Sequence, residues 1–396
     1  MRSHLGRMLG DQVAEHDRSS IVANSMSVAI KNHFSELTDP RRRKVLYPLI
    51  NVVTIALCAV VCGADDFVAI AKWGRTKREW LAKFLDLSGG IPSHDRFNAI
   101  FAAIQPAEFE KCLLSWITAL HEISDGQIVA IDGKTLRRSF DAASSKAAIH
   151  MVSAWATTSL ISLGQVVVDD KSNEITAIPK LLQMLELSGC LVTIDAMGCQ
   201  TEIAREIVAA KADYVLAVKG NQPTLHEGIK AFFVRAIANG FGQTKVSRHE
   251  THERGHGRDE TRVYCVCEAP ADLPDRARWA KLKAIGITFN QTTRNGKQTV
   301  EVRYYILSKK LSARRFAVAV RDHWSIENKL HWQLDVTFQE DQSRLRAGDA
   351  ATTFSLLRRA ALSPLKNDHS QQLGVKNKRL NAAWDDNYLL QVLFNS

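Results

Sequence analysis

Residues 128–139 read IVAIDGKTLRRS: an apolar run, an aspartate, a Gly-Lys-Thr and then two arginines. A short apolar run that ends at a glycine is typical of a buried β-strand. The Gly-Lys-Thr also resembles part of a phosphate-binding loop, but such a loop has a glycine five positions before the glycine of its Gly-Lys-Thr. Ile128 stands at that position. The segment is therefore not a phosphate-binding loop, and the role of Asp132 needs another explanation.

A second buried-strand pattern, LVTID at residues 191–195, also ends in an aspartate. From residue 126 onward, three strand patterns follow one another and then helix and strand patterns alternate, which predicts a mixed sheet with helices on its faces. In that topology the first and fourth strands can be neighbours, with Asp132 and Asp195 at one sheet edge, where open α/β sheets place their sites. Taken alone, each aspartate can equally be a turn former.

The chain divides into five segments by pattern. Apolar residues at helical spacing predict a helical N-terminal domain, with Ser93 as a helix cap. Short alternating runs around an Arg-Asn-Gly-Lys turn predict a basic, β-rich insertion, and Ser312 is expected to cap the helix that follows it. The predicted boundaries are an N-terminal tail at 1–29, the helical domain at 30–125, the first part of the α/β core at 126–244, the insertion at 245–310, and the rest of the core with its tail at 311–396.

The composition is that of a soluble globular protein, with 396 residues, 45% hydrophobic and 24% charged. The longest apolar stretch, residues 48–64, is short for a membrane span and predicts a buried core helix. The N-terminus lacks the apolar region of a secretory signal. The seven cysteines form no CxxC pair, so no disulfide framework or zinc site is expected. These features predict a cytoplasmic protein without membrane contact.

Positive charge is concentrated in one part of the chain. The net charge is +10, and residues 245–315 contain 16 Lys and Arg against 8 Asp and Glu. Clustered cations favour phosphate binding, so this region predicts contact with nucleic acid. A solvated basic surface is the alternative.

A third acid, Glu327 in HWSIENKLHW, completes a candidate site with Asp132 and Asp195. Ligation by carboxylates alone points to Mg²⁺ or Mn²⁺. Three such acids could hold two ions for phosphoryl transfer. The alternative is a helical stripe of His323, Glu327 and His331, spaced four residues apart, that binds a metal by itself. In a third interpretation these histidines only pack or contact phosphate.

Ten ordered segments resemble the H-repeat-associated, ISAs-type family of bacterial insertion-sequence transposases, which belongs to the DDE superfamily with an RNase H-like core. The resemblance covers nearly all of the chain from about residue 34. The segments are DPRRRKVLYPL, GIPSHDRF, DGKTLRRS, KSNEITAIPKLL, IDAMGCQ, YVLAVKGNQ, GHGRDETR, EVRYYI, HWSIENKLHWQLDVTFQED and SRLRAGDAA.

The resemblance implies an RNase H-like, mixed five-stranded sheet flanked by helices, with Asp132, Asp195 and Glu327 as the metal-binding triad for two Mg²⁺ or Mn²⁺ ions. Related transposases carry Tyr, Arg and Lys around the glutamate, whereas Val320, His323 and Leu334 stand at those positions here. The residues expected to bind DNA are Lys134, Arg137, Arg138, Lys219, Asn221, His256, Arg258, Arg321, His323 and Lys329. For the arginines that follow the first strand, solvent-facing charge is the alternative.

The implied function is a DNA transposase that cuts phosphodiester bonds at the ends of an insertion sequence and transfers the 3′-hydroxyl strand to target DNA. Its expected partners are terminal inverted repeats and target DNA, bound by a homodimer or a larger assembly that associates with the nucleoid. Two alternatives stay open: a catalytically silent remnant that still binds DNA, and an RNase H-like nuclease without strand transfer.

Overall fold

The computed structural model of the chain describes residues 30–42, 45–120, 126–139, 148–168, 173–242, 244–255 and 257–394. Its N-terminal part is helical, as predicted. The predicted cap at Ser93 is confirmed, because its side chain accepts a hydrogen bond from the backbone N–H of Arg96. The helices of this part are Leu49–Val61, Phe67–Thr76, Arg78–Leu81, His94–Ala103 and Pro106–Leu120.

The helix Leu49–Val61 is a core helix and not a membrane segment. Its residues from Asn51 to Val61 are all buried, and the amide of Asn51 donates to the carbonyl of Asp86 at 2.6 Å. A helix that is apolar on every side needs neighbours on every side. Within the described residues, no helix combines the length and the apolar character that crossing a bilayer requires.

One nine-stranded sheet forms the centre of the molecule, in the order β3-β2-β1-β4-β5-β9-β8-β7-β6. β1 pairs in parallel with β4, and β4 with β5, while β2 and β3 are antiparallel. The predicted neighbourhood of the first and fourth strands is confirmed. The strands are β1 Ile128–Thr135, β2 His150–Ala156, β3 Ile161–Val168, β4 Leu191–Ile194, β5 Asp213–Val218, β6 Val246–Gly255, β7 Arg258–Glu268, β8 Ala284–Arg294 and β9 Lys297–Leu307.

The first five strands form the expected mixed sheet, and the β-rich insertion extends it. β9 pairs antiparallel with β5, so β9 to β6 continue the same sheet. The predicted hairpin joins β8 to β9: Asn295 and Gly296 both have positive φ, 49° and 74°, as a tight two-residue hairpin turn requires. The elements that connect the strands are the helices Glu174–Met184, Thr201–Ala209 and Pro223–Ala238 and the 3₁₀ turn Arg276–Arg278.

The C-terminal part returns to helix. Ser312 caps its first helix by accepting from the backbone N–H of Arg315 at 3.2 Å, as predicted. A π-helical turn, Ile326–His331, then interrupts the regular helix. The elements of this part are Ala313–His323, Ile326–His331, Trp332–Val336, the 3₁₀ turn Glu340–Gln342, Ala350–Asn367, Val375–Trp384 and Asp386–Phe394.

The helix Ala350–Asn367 joins the N-terminal helices to the sheet. Its residues from Ala350 to Leu365 are all buried. The ring of Phe354 packs edge-on against that of Phe67, with centroids 5.1 Å apart. Buried apolar side chains from both parts of the chain therefore form one continuous core. All seven cysteines are buried and free, in line with the prediction that they form no disulfide framework.

Candidate active site

Asp132 and Asp195 lie at the same edge of the sheet. Ile131 pairs with Ile194 at the end of the parallel β1–β4 ladder, Asp132 is the next residue of β1, and Asp195 directly follows β4. One detail differs from the prediction. Asp132 is not at the end of β1, because the strand continues to Thr135 along β2. Asp132 instead stands where β1 extends beyond β4, which leaves its carboxylate without a strand neighbour on that side.

The carboxylate of Asp195 is held by the turn that follows β4. Its Oδ1 accepts the backbone N–H groups of Met197 and Gly198, at 3.0 and 3.3 Å. The side chain of Asn221 braces the same turn by donating to the carbonyl of Ala196 at 2.6 Å. Asn221, expected to contact DNA, therefore supports the loop that carries Asp195.

Glu327 lies on the π-helical turn and is exposed. π-Helical turns occur often at functional sites, because the extra residue redirects the side chains that follow. Burial, together with the negative charges of Glu327, Asp195 and Glu174, raises the pKa of Asp132 to about 7. Asp132 therefore shares one electrostatic environment with the other two acids of the proposed triad.

The histidine stripe of the same helix faces the two aspartate-bearing strands. His323 Nδ1 lies 3.3 Å from the hydroxyl of Thr193 on β4, and His331 Nδ1 lies 3.5 Å from Asp132 Oδ2. Burial lowers the pKa of His323 to about 4 and that of His331 to about 3, so both rings are neutral at pH 7. The predicted phosphate contact of His323 stays a prediction, and a neutral ring would make it as a hydrogen-bond donor and not as a cation.

A fourth carboxylate, which the sequence did not single out, stands beside Asp132. Glu174 Oε1 pairs with His150 Nε2 at 2.7 Å. A Cβ added to Gly133 would lie only 2.1 Å from Glu174 Oε1, so a side chain at this position would push the carboxylate of Glu174 away. The sequence signal was the glycine that follows Asp132.

The donor set suits a divalent cation, but the site is not preassembled. Within the described ranges, no three His, Cys, Asp or Glu side chains lie close enough together to hold a metal ion. This holds for the triad of Asp132, Asp195 and Glu327 and equally for the stripe of His323, Glu327 and His331. The carboxylates that raise the pKa of Asp132 are nevertheless oxygen ligands of the type that Mg²⁺ and Mn²⁺ prefer, and a cation would offset their repulsion.

Lys134 is buried beneath the site. Its ammonium donates to Glu340 Oε2 at 2.6 Å and also to Asp335. Arg359 donates to Glu340 Oε1 at 3.1 Å. We call Lys134, Glu340 and Arg359 the core cluster. The predicted DNA contact of Lys134 is therefore corrected: its ammonium is paired with two carboxylates of this chain, Glu340 fully buried and Asp335 half-buried, and only 8% of the side chain is exposed.

The core cluster lies directly under Asp132. Arg359 also reaches the hydroxyl of Ser153 at 3.4 Å, and Ser153 is the β2 partner of Asp132 in the ladder. Burial alone would raise the pKa of Glu340, but the charges of Arg359, Lys134 and Arg358 hold it well below its ordinary value. Glu340 is thus a buried carboxylate that stays ionised because it is paired.

The other expected DNA contacts lie at the surface. Arg137 is exposed and lies 3.4 Å from Asp341, and Arg138 is exposed beside it. Lys219 is exposed at the end of β5. His256 lies outside the described residues. The remaining three, Arg258, Arg321 and Lys329, line a groove of about 520 Å³ between the extended sheet and the helix that leads to Glu327.

Comparison with known proteins assigns the family. Residues 123–363 match the model described as "Transposase DDE domain", and residues 31–117 match the one described as "DDE_Tnp_1-associated". The fold and the paired aspartates thus belong to a DDE-type transposase. The chain is a member of that family, and its predicted RNase H-like fold class is confirmed.

Its relatives carry the same description. The "H repeat-associated putative transposase YhhI" of Escherichia coli K12 is 40% identical over 373 residues, which is 93% of this chain and 98% of that protein. "Putative transposase YncI" of E. coli O157:H7 is 42% identical over 370 residues, which is 92% and 94%. A solved piggyBac transposase synaptic complex with hairpin DNA is similar over 94% of this chain and 77% of its own, at 11% identity and a TM-score of 0.42, too low to add to the assignment.

Proposed function

We propose that this transposase hydrolyses phosphodiester bonds at the ends of an insertion sequence and joins the freed 3′-hydroxyl ends to target DNA. The observation that supports the proposal best is the parallel pairing of β1 with β4, which makes Asp132 and Asp195 neighbours. The helix that leads to Glu327 crosses both strands, with His323 at β4 and His331 at Asp132.

In this proposal Asp132, Asp195 and Glu327 hold two Mg²⁺ or Mn²⁺ ions, which supply positive charge for phosphoryl transfer. The turn after β4 orients Asp195 through two backbone N–H groups. The neutral ring of His331 packs beside Asp132, and Glu327, on the same π-helical turn as His331, would supply the third carboxylate. DNA lies along the groove lined by Arg258, Arg321 and Lys329.

Each end of the element needs its own active site, so we propose that two or more copies act together on DNA. The distribution of charge supports a nucleic-acid partner, since the excess of cations lies at residues 245–315, which supply much of the groove lining. The family and the absence of any spanning helix among the described residues are consistent with an enzyme that acts on DNA in the cytoplasm.

The proposal is tested with purified protein and a supercoiled plasmid that carries the element's ends. We expect Asp132→Asn and Glu327→Gln each to reduce Mg²⁺-dependent cleavage on the order of 10³-fold or more, equivalent to about 4 kcal/mol in the barrier. Glu268→Gln is the matched control, because it removes an exposed carboxylate that pairs only with Lys310 at 3.8 Å. Full cleavage by either site variant would overturn the assignment.

The same assay separates the alternatives. A catalytically silent protein would bind the ends in EDTA and cut under no divalent ion. A nuclease would cut without joining the 3′ end to a second DNA. Joined product from the wild-type protein alone supports the transposase.

A further inference from the structure

Glu253 is the carboxylate that bridges two arginines of the groove. Its Oε1 accepts from Nη1 of Arg321 on the helix Ala313–His323, and its Oε2 accepts from Nη1 of Arg262 on β7 at 2.9 Å. One anionic group thus receives hydrogen bonds from two guanidinium groups that belong to different elements. A phosphate is also an anion with several oxygens, so it can likewise accept a hydrogen bond from each of two guanidinium groups.

The position of Glu253 in the sheet is electrostatically unfavourable without those arginines. The β6–β7 register sets Glu253 directly opposite Glu260, and like charges in that arrangement repel. Arg262 relieves the repulsion by donating to both carboxylates. The hydrogen bonds from Arg321 and Arg262 lower the pKa of Glu253, so it is charged at neutral pH.

Of these two glutamates, only Glu253 is accessible enough for a ligand to displace it from the arginines. The Glu260 side chain is 7% exposed and fixed between strands, whereas that of Glu253 is 43% exposed near the end of the edge strand β6. Arg321 is also 43% exposed. The groove that contains them is also lined by Ser325 and Asn328, which are close in sequence to Glu327. The two arginines and the candidate active site thus border the same groove.

We propose that Arg321 and Arg262 form a phosphate-binding subsite for the DNA backbone, and that the carboxylate of Glu253 occupies this subsite in the free protein. The inference rests on the proposed function, since it takes the groove to be the path of DNA. When DNA binds, a backbone phosphate replaces Glu253 between the two arginines, and the Glu253 side chain turns to solvent. Arg262 keeps its bond to the buried Glu260.

The test is the affinity of the full-length protein for a short fluorescent duplex, measured in EDTA so that cleavage plays no part. Non-specific duplex is suitable because phosphate contacts do not depend on sequence. We expect Glu253→Gln to tighten binding about three- to tenfold, because the phosphate no longer has to displace a carboxylate from Arg321 and Arg262. The gain is modest because those ion pairs are exposed and individually weak. Glu268→Gln makes the same change in net charge outside the groove and is the control.

A second variant separates the subsite from a general effect of charge. Arg321→Gln should weaken binding and reduce the slope of affinity against salt by about one phosphate contact. In the double variant Glu253→Gln with Arg321→Gln, the gain from the first change should largely vanish. The inference is overturned if Glu253→Gln binds no tighter than Glu268→Gln, or if its full gain survives without Arg321.

The two proposals fail in different ways. If wild-type protein binds the duplex and Glu253→Gln leaves the affinity unchanged, only the subsite is wrong. If neither the wild type nor Glu253→Gln binds duplex DNA, the proposed function is wrong, and so is the subsite that depends on it. Thermal unfolding of each variant shows whether a loss of binding reflects a loss of folded protein.

Discussion

Two clusters of Arg, Lys and Glu flank the candidate active site, and burial separates their roles. The core cluster of Lys134, Glu340 and Arg359 lies beneath Asp132, with all three side chains at most 8% exposed. The groove cluster is Arg321, Glu253 and Arg262, with side chains between 19% and 43% exposed.

The same chemistry therefore has different consequences on the two sides. Water cannot replace a lost partner in the core cluster, so each charge there depends on the others. In the groove cluster, solvent weakens each pair and an incoming anion can compete for the arginines. The comparison teaches that a cation near a DNA-cutting site is not by itself a DNA contact, because its burial decides which anion it meets.

The largest expected effect comes from breaking the core cluster. Glu340→Gln leaves the ammonium of Lys134 and the guanidinium of Arg359 buried with too little negative charge. We expect the free energy of unfolding to fall by about 3–5 kcal/mol, measured by urea denaturation of the full chain. Glu36→Gln, which removes only an exposed pair with Lys111, should leave the urea midpoint unchanged. An unchanged urea midpoint for Glu340→Gln would contradict the distinction between the buried and the exposed cluster.

The core cluster should also make the free energy of unfolding depend on pH. The pKa of Glu340 in the folded protein lies below its ordinary value of 4.5, so the unfolded chain binds the proton more readily. The stability that Glu340 contributes is fully present above pH 4.5 and is lost as the pH falls toward the lowered folded-state pKa. The difference in urea midpoint between wild type and Glu340→Gln should therefore shrink on acidification below pH 4.5. A difference that stays constant would show that Glu340 does not titrate in this way.

The smallest expected effect on stability is in the groove cluster. Glu253→Gln should change the free energy of unfolding by less than about 1 kcal/mol, since exposed pairs contribute little. Raising the salt concentration should reduce even this difference, because exposed charges are screened, and should leave the effect of Glu340→Gln nearly unchanged. Urea denaturation at low and high salt measures both. A salt-insensitive loss of several kcal/mol for Glu253→Gln would place it with the core cluster.

Much of the fold follows from local signals in the sequence. Apolar runs and turn residues predict the order of the strands, and the hairpin at Asn295 and Gly296 follows from the φ values that only such residues adopt easily. The adjacency of Asp132 and Asp195 follows from strand order alone. The caps at Ser93 and Ser312 are equally local.

The remainder depends on partners that are distant in sequence. Lys134 looks like a surface cation beside two arginines, but its partner Glu340 lies 206 positions away. No periodicity indicates that pairing. The approach of Glu174 to Asp132 is marked only by the missing side chain of Gly133. The π-helical turn has no sequence signal that we can identify, although it sets the directions of Glu327 and His331.

The buried helix Ala350–Asn367 has a consequence for how the molecule is built. It is enclosed by N-terminal helices on one side and by the sheet on the other, and Arg358 reaches back to donate to the carbonyl of Asp65 at 3.1 Å. Arg379, from the next helix, also pairs with Asp65, at 2.8 Å. Separating residues 31–117 from residues 123–363 would therefore expose the apolar surface of this helix that the N-terminal helices cover. The N-terminal helices are thus an integral part of the hydrophobic core of the DDE domain, and we do not expect that domain to fold stably without them.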